Sequence, residues 1–301
     1  RILAKLDRGW IASNGRRETI SELELQLVSG SVDSLYVLAL ELAQTQALPP
    51  LLLSKAERGY RLFLDTPPAP VKAGLVPIDA ADTPLAAFRL IALDCLSHLQ
   101  LNHDGAVRSD DPEYVHQMRV ATRRLRAALR MFDPVLPASF AEQLVPPMRE
   151  LMQALGQARD LDVLMAEIVA PVAKALPDEP RLTDLASAIT IRLYAARSNI
   201  RHVLRQPAYS RLLLTAGSLL QRAPFVEPPG TEAASLLQFA DRRLRSQLKK
   251  ILVLADAARV DYPPSLHELR IGIKRLRYAI EFFGPMIPGK SGTAAIKRLA
   301  G

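Results

Sequence analysis

Basic side chains recur at helical spacing in one stretch of the sequence, residues 115–132. Successive members lie three, four, three and four residues apart, so on an α-helix they form one longitudinal stripe. Arginine presents a planar fork of donors that matches phosphate oxygens, and no acidic residue lies between Arg119 and Arg130. Such a row of cations suits a linear chain of phosphates better than a single small anion. This basic stripe consists of His116, Arg119, Arg123, Arg126 and Arg130.

The same pattern returns in a second stretch, residues 266–283. Aligned without a gap, the two stretches share the histidine, the arginine three residues later, an Arg-Leu-Arg triplet, an alanine and the final phenylalanine. A single arginine-rich helix is most often a solvated face, but two copies favour a common binding surface. We call residues 115–132 the first repeat and residues 266–283 the second repeat. The second basic stripe consists of His267, Arg270, Lys274 and Arg277.

Two interpretations of the repeated histidines stay open, contact with a ligand and a partly buried position that caps a helical bundle. Metal ligation is not expected, because neither His116 nor His267 has a typical metal-ligand spacing on its own helix, apart from the adjacent Glu268. A polyanion bound nearby would favour the protonated imidazoles, so its binding should tighten as the pH falls.

Each repeat also carries an apolar stripe, which predicts the side of the helix that packs. On each helix, the apolar stripe lies on a different side from the cations. In the first repeat the apolar stripe is Met118, Thr122, Leu125, Leu129 and Phe132. In the second repeat it is Leu269, Ile273, Leu276, Ile280 and Phe283.

The elements that carry these stripes are predicted from apolar residues at three- and four-residue spacing. This pattern begins after a proline-rich stretch, residues 65–83, and continues almost to the end, with Pro and Gly between segments rather than within them. The last two thirds of the chain should therefore be helical, and the repeat suggests two related bundles. Helices are expected near 85–102, 112–132, 138–155, 158–175, 181–204, 207–221, 231–257 and 264–284.

Residues 1–64 show a different, α+β pattern. Asn14-Gly15 is a turn signal, and residues 21–27 alternate strictly between polar and apolar, which predicts a strand with one buried face. A helix should follow, with Ser31 as its N-cap. A further short strand is predicted within residues 54–64 from the alternation of apolar side chains near its end.

Charge and composition restrict the partner and the compartment. The 39 Lys and Arg against 31 Asp and Glu give a formal net charge of +8, which favours a polyanion such as nucleic acid, phosphates or an anionic membrane. Cys95 is the only cysteine, so an intramolecular disulfide or a thiolate metal cluster is excluded. Nothing in this cysteine usage points to an oxidising compartment, so we expect a cytoplasmic protein. No uninterrupted apolar run is long enough to cross a bilayer, and membrane binding ranks below the other hypotheses.

The repeat motifs resemble those of the CHAD family, named for conserved histidines on an α-helical domain, over roughly residues 84–301. The resemblance implies two pseudo-symmetric four-helix bundles with a basic channel that binds inorganic polyphosphate, and no known catalysis. It assigns ligand contacts to both basic stripes, although Arg130 joins them by spacing alone. Because a buried charge needs partners, we also expect structural ion pairing of Arg159 with Asp160 and Asp162. The motifs are Asp111-Pro112-Glu113-Tyr114-Val115-His116-Gln117-Met118-Arg119-Val120, Gly156-Gln157-Ala158-Arg159-Asp160-Leu161-Asp162-Val163, Leu266-His267-Glu268-Leu269-Arg270 and Arg275-Leu276-Arg277-Tyr278.

One further basic segment has two open interpretations, a lining of the same channel and a solvated face. Its cations lie at mixed spacings. They are Arg242, Arg243, Arg245, Lys249 and Lys250.

Glu22 and Glu24 face one way on the predicted strand, and their oxygens would suit Mg²⁺. This segment resembles the C-terminal part of a CYTH domain, the triphosphate tunnel metalloenzymes, which are closed antiparallel β-barrels that hydrolyse triphosphates with a divalent metal. The resemblance implies metal binding by these two glutamates and triphosphate contacts by Lys55 and Arg58. The family's Glu-x-Glu-x-Lys signature is absent, so the first part of the barrel and of its site would lie outside this sequence. The motifs are Lys5-Leu6-Asp7-Arg8-Gly9, Ile20-Ser21-Glu22-Leu23-Glu24-Leu25 and Ser54-Lys55-Ala56-Glu57-Arg58-Gly59-Tyr60.

The sequence therefore predicts a mainly α protein with a partial antiparallel β-barrel at its N-terminus, divided into a CYTH-like part (1–64), a linker (65–83) and a CHAD part (84–301). Our leading hypothesis is polyphosphate binding without a cofactor, in the cytoplasm and in association with polyphosphate granules. The alternative is a Mg²⁺- or Mn²⁺-dependent inorganic triphosphatase. Non-specific nucleic-acid binding is less favoured, because the basic stripes contain no interleaved aromatic residues for base stacking.

Overall fold

The computed structural model describes residues 1–222 and 235–286. The mainly α fold with an N-terminal β segment is confirmed. The strands are β1 (Ile2–Ser13) and β2 (Arg16–Leu27). The helices are α1 (Val32–Leu42), α2 (Lys55–Phe63), α3 (Pro84–Leu101), α4 (His103–Arg108), α5 (Pro112–Phe132), α6 (Ala138–Val163), α7 (Ala170–Ala175), α8 (Pro180–Leu204), α9 (Pro207–Gln221), α10 (Leu236–Asp256) and α11 (Pro263–Phe283). No helix within these described ranges is both long enough and apolar enough to cross a membrane.

The two strands form an antiparallel hairpin closed by the predicted Asn-Gly turn. Asn14 and Gly15 both have positive φ, 49° and 76°, as a two-residue hairpin turn with the twist of the strands requires. Ser13 pairs with Arg16, so the loop contains only these two residues. The sheet of the described residues has these two strands, and the rest of the expected barrel stays a prediction.

The helix after the hairpin is confirmed, but the strand predicted within residues 54–64 is wrong. Ser31 caps α1 through its side chain, as expected. Residues 55–63 instead form α2, which begins with a capping box in which Ser54 and Glu57 bond each other's backbone N–H. Such a box satisfies two of the free donors at a helix start, and it outweighs a short alternation that is also compatible with one helical turn.

The predicted break after residue 155 is also wrong. Helix α6 runs without interruption through Gly156 to Val163 and contains two consecutive prolines, Pro146 and Pro147. A π-helical turn, Leu164–Val169, then leads into α7. Gly156 does not end the helix, because its missing side chain serves packing against a neighbouring helix rather than a change of direction.

The chain forms two compact units, and α3, α5 and α6 contribute residues to both. Unit 1 comprises residues 1–72, 97–122 and 143–222, and its core includes buried side chains of α8 and α9. Unit 2 comprises residues 73–96, 123–142 and the described residues beyond 222. Its core is aromatic: the Phe132 ring lies 5.2 Å from that of Phe239 and 5.8 Å from that of Phe283, between ring centroids. Phe132 and Phe283 are the final residues of the two repeats.

The proline-rich stretch contains no helix or strand from residue 66 to 79, yet it is packed. In unit 1, the Asn102 side chain accepts a hydrogen bond from the backbone of Val71 and donates one back, at 3.0 and 2.9 Å. In unit 2, Val76 and Ile78 are buried. The domain boundaries placed on either side of this stretch stay predictions.

Candidate anion-binding site

Helix α5 presents the two faces that the first repeat predicts. It begins at Pro112, and the Asp111 carboxylate accepts the backbone N–H of Glu113 at 2.9 Å, which fixes the helix start. Every member of the predicted apolar stripe from Met118 to Phe132 is buried. The basic stripe lies on the opposite side, where its first four members are half-buried and Arg130 is exposed.

A buried polar chain fixes the rotation of α5 beside His116. The next residue, Gln117, donates to the Glu113 carboxylate at 2.6 Å and lies 3.0 Å from Nε2 of His98 on α3. Because a buried amide must keep its partners, α5 cannot rotate without breaking these hydrogen bonds. His116 is thereby held on the half-exposed side of the helix.

In unit 1, Arg119 lies across α6 at Gly156. A Cβ atom added to Gly156 would stand 2.5 Å from Nη1 of Arg119, closer than atoms can pack. One helical turn further along, the exposed Asp160 carboxylate lies 3.6 Å from Nη2 of the same arginine. The glycine and the aspartate of this motif therefore position Arg119, a role that spacing alone did not reveal.

The ion pairs expected around Arg159 are different in the structure. Asp160 pairs with Arg119, and the buried Asp162 accepts a hydrogen bond at 2.9 Å from Arg197 of α8. The prediction that Arg159 partners both carboxylates is wrong. On an α-helix, each residue is rotated by about 100° from the one before it, so the side chains of residues 159, 160 and 162 point in three different directions.

In unit 2, Arg123 and Arg277 of the two repeats approach the same aromatic ring. Their guanidinium carbons lie 5.6 and 5.2 Å from the centroid of Tyr278. Tyr278 is itself buried, with 4% of its surface exposed. The structure thus brings together one predicted cation from each basic stripe, and Tyr278 is the neighbour that sequence reasoning did not assign. Its signal was present as the aromatic residue that directly follows the Arg-Leu-Arg triplet.

Arg124, the neighbour of Arg123, has the opposite environment. Its side chain is 1% exposed, donates to Asp94 of α3 at 2.8 Å and lies 2.7 Å from the carboxylate of Glu281 of α11. Burial alone would lower the pKa of this guanidinium, but Cys95, Glu281 and Asp94 together raise it above its ordinary value. A buried, paired charge of this kind binds three helices together instead of an external anion.

Cations also gather around the end of the first repeat. Although Arg130 is exposed overall, partial loss of hydration at its guanidinium, together with the positive charges of Arg126 and Arg275, lowers its pKa from the ordinary value. Arg243 of α10 donates to the backbone carbonyl of Arg130 at 2.8 Å. Arg243, from the further basic segment of residues 242–250, therefore contacts the end of the first repeat. Arg245 of the same segment instead pairs with Asp241 on the exposed face of α10. Neither Arg275 nor the contact of Arg243 was predicted.

The face through which the second repeat packs is only partly the one its apolar stripe predicts: Phe283 is buried, and Leu269, Leu276 and Ile280 are half-buried. The buried residues of α11 include Gly272, and those near its end are Tyr278, Ala279, Phe282 and Phe283. Ile273, from the predicted stripe, is 37% exposed. A Cβ at Gly272 would lie 3.2 Å from Leu254 of α10, so α10 crosses α11 at this glycine and decides which side is covered. Of the second basic stripe, His267 and Arg270 are exposed, and Lys274 and Arg277 are half-buried.

A family model described as CHAD domain matches residues 90–301. The chain belongs to the CHAD family. Its fold is similar to the crystal structure of the CHAD domain from the plant Ricinus communis, with a TM-score of 0.66 and 34% identity, covering 77% of this chain and 76% of that one. It is also similar in fold to PptA from Streptomyces chartreusis, with a TM-score of 0.55 and 15% identity, covering 73% and 80% of the two chains.

Two curated relatives come from Mycobacterium tuberculosis, the uncharacterized proteins MT2285 of strain CDC 1551 and Rv2226 of strain H37Rv. Each is 30% identical over 182 residues, which make up 58% of this chain. The matched region covers 35% of the length of either relative.

The charged residues that precede the CHAD domain form an ion-pair network between the hairpin and α2. Lys55 pairs with Asp7 and, at 3.6 Å, with Glu22. Arg58 pairs with Glu22 and, at 2.7 Å, with Glu18. The predicted metal ligand Glu22 and the two predicted triphosphate contacts are therefore close together and neutralise one another.

The carboxylates of these two glutamates have cationic side chains as partners in this structure. Glu22 has both carboxylate oxygens against cations, and Glu24 lies 3.7 Å from Lys5. Among the residues described, no group of three or more His, Cys, Asp or Glu side chains could hold a metal ion. The metal and triphosphate roles of these residues stay predictions, and no catalytic step follows from them.

Proposed function

We propose that this CHAD domain binds inorganic polyphosphate through the cations of α5 and α11. The observation that carries the proposal lies in unit 2, where one cation from each basic stripe approaches the same ring: Arg123 of α5 and Arg277 of α11 lie 5.6 and 5.2 Å from the centroid of Tyr278. Guanidinium groups held this close repel each other, and an external polyanion would offset that repulsion.

The length of the basic stripe supports a chain-like ligand. From His116 to Arg130 the cations extend about 21 Å along one helix, at the rise of an α-helix. A single phosphate contacts only one or two arginines at a time, whereas a phosphate polymer can contact each of them in turn. The resemblance described above for the CHAD family points to the same ligand.

Nucleic acid is the less favoured polyanion. Single-stranded nucleic acid binds through exposed aromatic rings on which bases stack. In the described parts of unit 2, the rings next to the basic stripes are buried, namely Phe132, Phe239, Tyr278, Phe282 and Phe283.

Binding of long-chain polyphosphate at several salt concentrations tests the proposal. Neutralised phosphates release counterions, so the affinity should fall steeply with salt. The double variant Arg126→Ala/Arg130→Ala should weaken binding and reduce the salt slope by about two, roughly one for each lost phosphate contact. The control Arg181→Ala/Arg192→Ala removes the same charge from exposed positions on α8. Equal loss in both variants, or equal competition by duplex DNA at matched phosphate concentration, would contradict the proposal.

A further inference from the structure

Tyr278 is a buried aromatic residue that contacts two members of the basic stripes. We infer that it is a positioning residue, whose ring fixes the separation of Arg123 and Arg277 so that their guanidinium groups act as a pair on the phosphate chain. This inference rests on the proposed function and adds to it a residue that does not itself carry charge.

The geometry of the ring supports this role. Both guanidinium carbons lie within about 6 Å of its centroid, at 5.6 Å for Arg123 and 5.2 Å for Arg277, the range in which a cation is attracted to the face of an aromatic ring. Two guanidinium groups repel each other, and the attraction of each to one shared ring offsets that repulsion. The two arginines come from α5 and α11, so the ring joins the two repeats within unit 2.

The positions of the polar atoms indicate that the aromatic ring of Tyr278, rather than its hydroxyl group, positions the two arginines. Nε of Arg123, Nε of Arg277 and the Tyr278 hydroxyl are all buried without a hydrogen-bond partner among the residues described. Both arginines nevertheless keep part of their surface exposed. Because Nε is buried in both arginines, the contact with the Tyr278 ring is what positions this part of each side chain, and the part that stays exposed is available to an anion.

The repeat itself shows that the ring is a special feature of the second copy. The position equivalent to Tyr278 in the first repeat is Ala127, so the two copies differ here although the triplets before them are identical. The single ring, in the second repeat, therefore contacts one arginine from each repeat.

The test compares Tyr278→Phe, Tyr278→Leu and the control Tyr194→Leu, which changes an exposed tyrosine of α8. Polyphosphate affinity, its salt slope and thermal unfolding are measured for each. Tyr278→Phe should bind within about twofold of the parent, because it keeps the ring. Tyr278→Leu should bind roughly fivefold to tenfold more weakly with a smaller salt slope, since both arginines lose their common support. Tyr194→Leu should match the parent.

The outcomes separate the two proposals. A parent protein that does not bind polyphosphate contradicts the proposed function, and with it the ligand assigned to the arginine pair. A binding parent with a folded Tyr278→Leu variant of equal affinity and slope contradicts the role of Tyr278 alone, as does a loss of binding in Tyr278→Phe. If Tyr278→Leu does not fold, Tyr278→Met replaces it. Failure of both to fold makes the ring a core residue only and overturns the inference.

Discussion

The guanidinium Nε of Arg124 lies 2.7 Å from the carboxylate of Glu281, and both groups are held inside unit 2. Glu281 occupies in the second repeat the position that Arg130 occupies in the first. The two repeats therefore differ in charge at equivalent places. In the second copy the position neutralises a buried cation, and in the first it extends the basic stripe.

Removing the charge of Glu281 should destabilise the protein without direct loss of a ligand contact. The Glu281→Gln variant leaves Arg124 with Asp94 as its remaining carboxylate partner. Because an uncompensated buried charge is costly, we expect the free energy of unfolding to fall by about 2 kcal/mol. Urea denaturation measures it. Glu268→Gln, at an exposed site on the same helix, is the control, and equal stability of the two variants would show that the pair is unimportant.

Gly156→Ala should separate stability from binding. Alanine is the better helix former by about 1 kcal/mol, so propensity gives no reason for the helix to weaken. The added Cβ would stand 2.5 Å from Nη1 of Arg119, the far end of a flexible side chain, and should displace it. We expect polyphosphate affinity to fall as far as in Arg119→Ala, with an unfolding temperature no lower than that of the parent.

The neighbouring Gln157→Ala, at an exposed position of α6, is the matched control for that experiment. Unchanged polyphosphate affinity in Gly156→Ala would mean that the position of the Arg119 guanidinium beside α6 does not matter for binding.

Acid should destabilise unit 1 through His103. Its ring stacks on the buried Tyr209 at 5.2 Å between centroids, and burial lowers the pKa of the imidazole below its ordinary 6.5. The unfolded chain then binds the proton more readily than the folded one, so stability should fall as the pH drops below about 6.5 towards the lowered pKa. Unfolding at pH 7.5 and at pH 5.5 measures the change.

The His103→Gln variant removes this titration and should show a smaller loss of stability over the same pH interval. Parallel losses in the parent and the variant would assign the acid sensitivity to other groups.

The N-terminal ion-pair network predicts no triphosphatase activity in this chain. With Glu22 neutralised by Lys55 and Arg58, a divalent cation would have to displace both. We therefore expect no Mg²⁺-dependent release of phosphate from tripolyphosphate, measured with and without the metal. Release that disappears in Glu24→Gln would revive the enzyme hypothesis.

The sequence was sufficient wherever a local rule acts on neighbouring residues. The hairpin turn at Asn14-Gly15, the N-cap Ser31 and both faces of α5 follow from backbone conformation, capping and helical periodicity, which need no distant partner. The two repeats also identified Arg123 and Arg277, which the structure places beside the same ring, but not Arg275 or Arg243. These features depend on separations of a few residues along one chain.

The wrong predictions concern positions whose surroundings are formed by a helix distant in the sequence. Gly156 looked like the end of a helix, but Arg119 passes over it. The apolar stripe of the second repeat was expected to be its buried face, but Phe283 is its one fully buried member among the described residues, and α10 packs at Gly272. In each case the sequence pattern of one helix was not sufficient, because the outcome depends on which neighbouring helix packs against it.

By itself, the sequence determined which side chains are cationic, which helices carry them and which face of α5 is apolar. Only the tertiary structure decided that Arg123 lies over Tyr278 while Arg124 is buried between Asp94 and Glu281. The physical reason is that adjacent residues of a helix diverge by about 100°, so identical side chains meet different surroundings. Burial turns one arginine into an internal ion pair, and the other stays partly exposed to solvent.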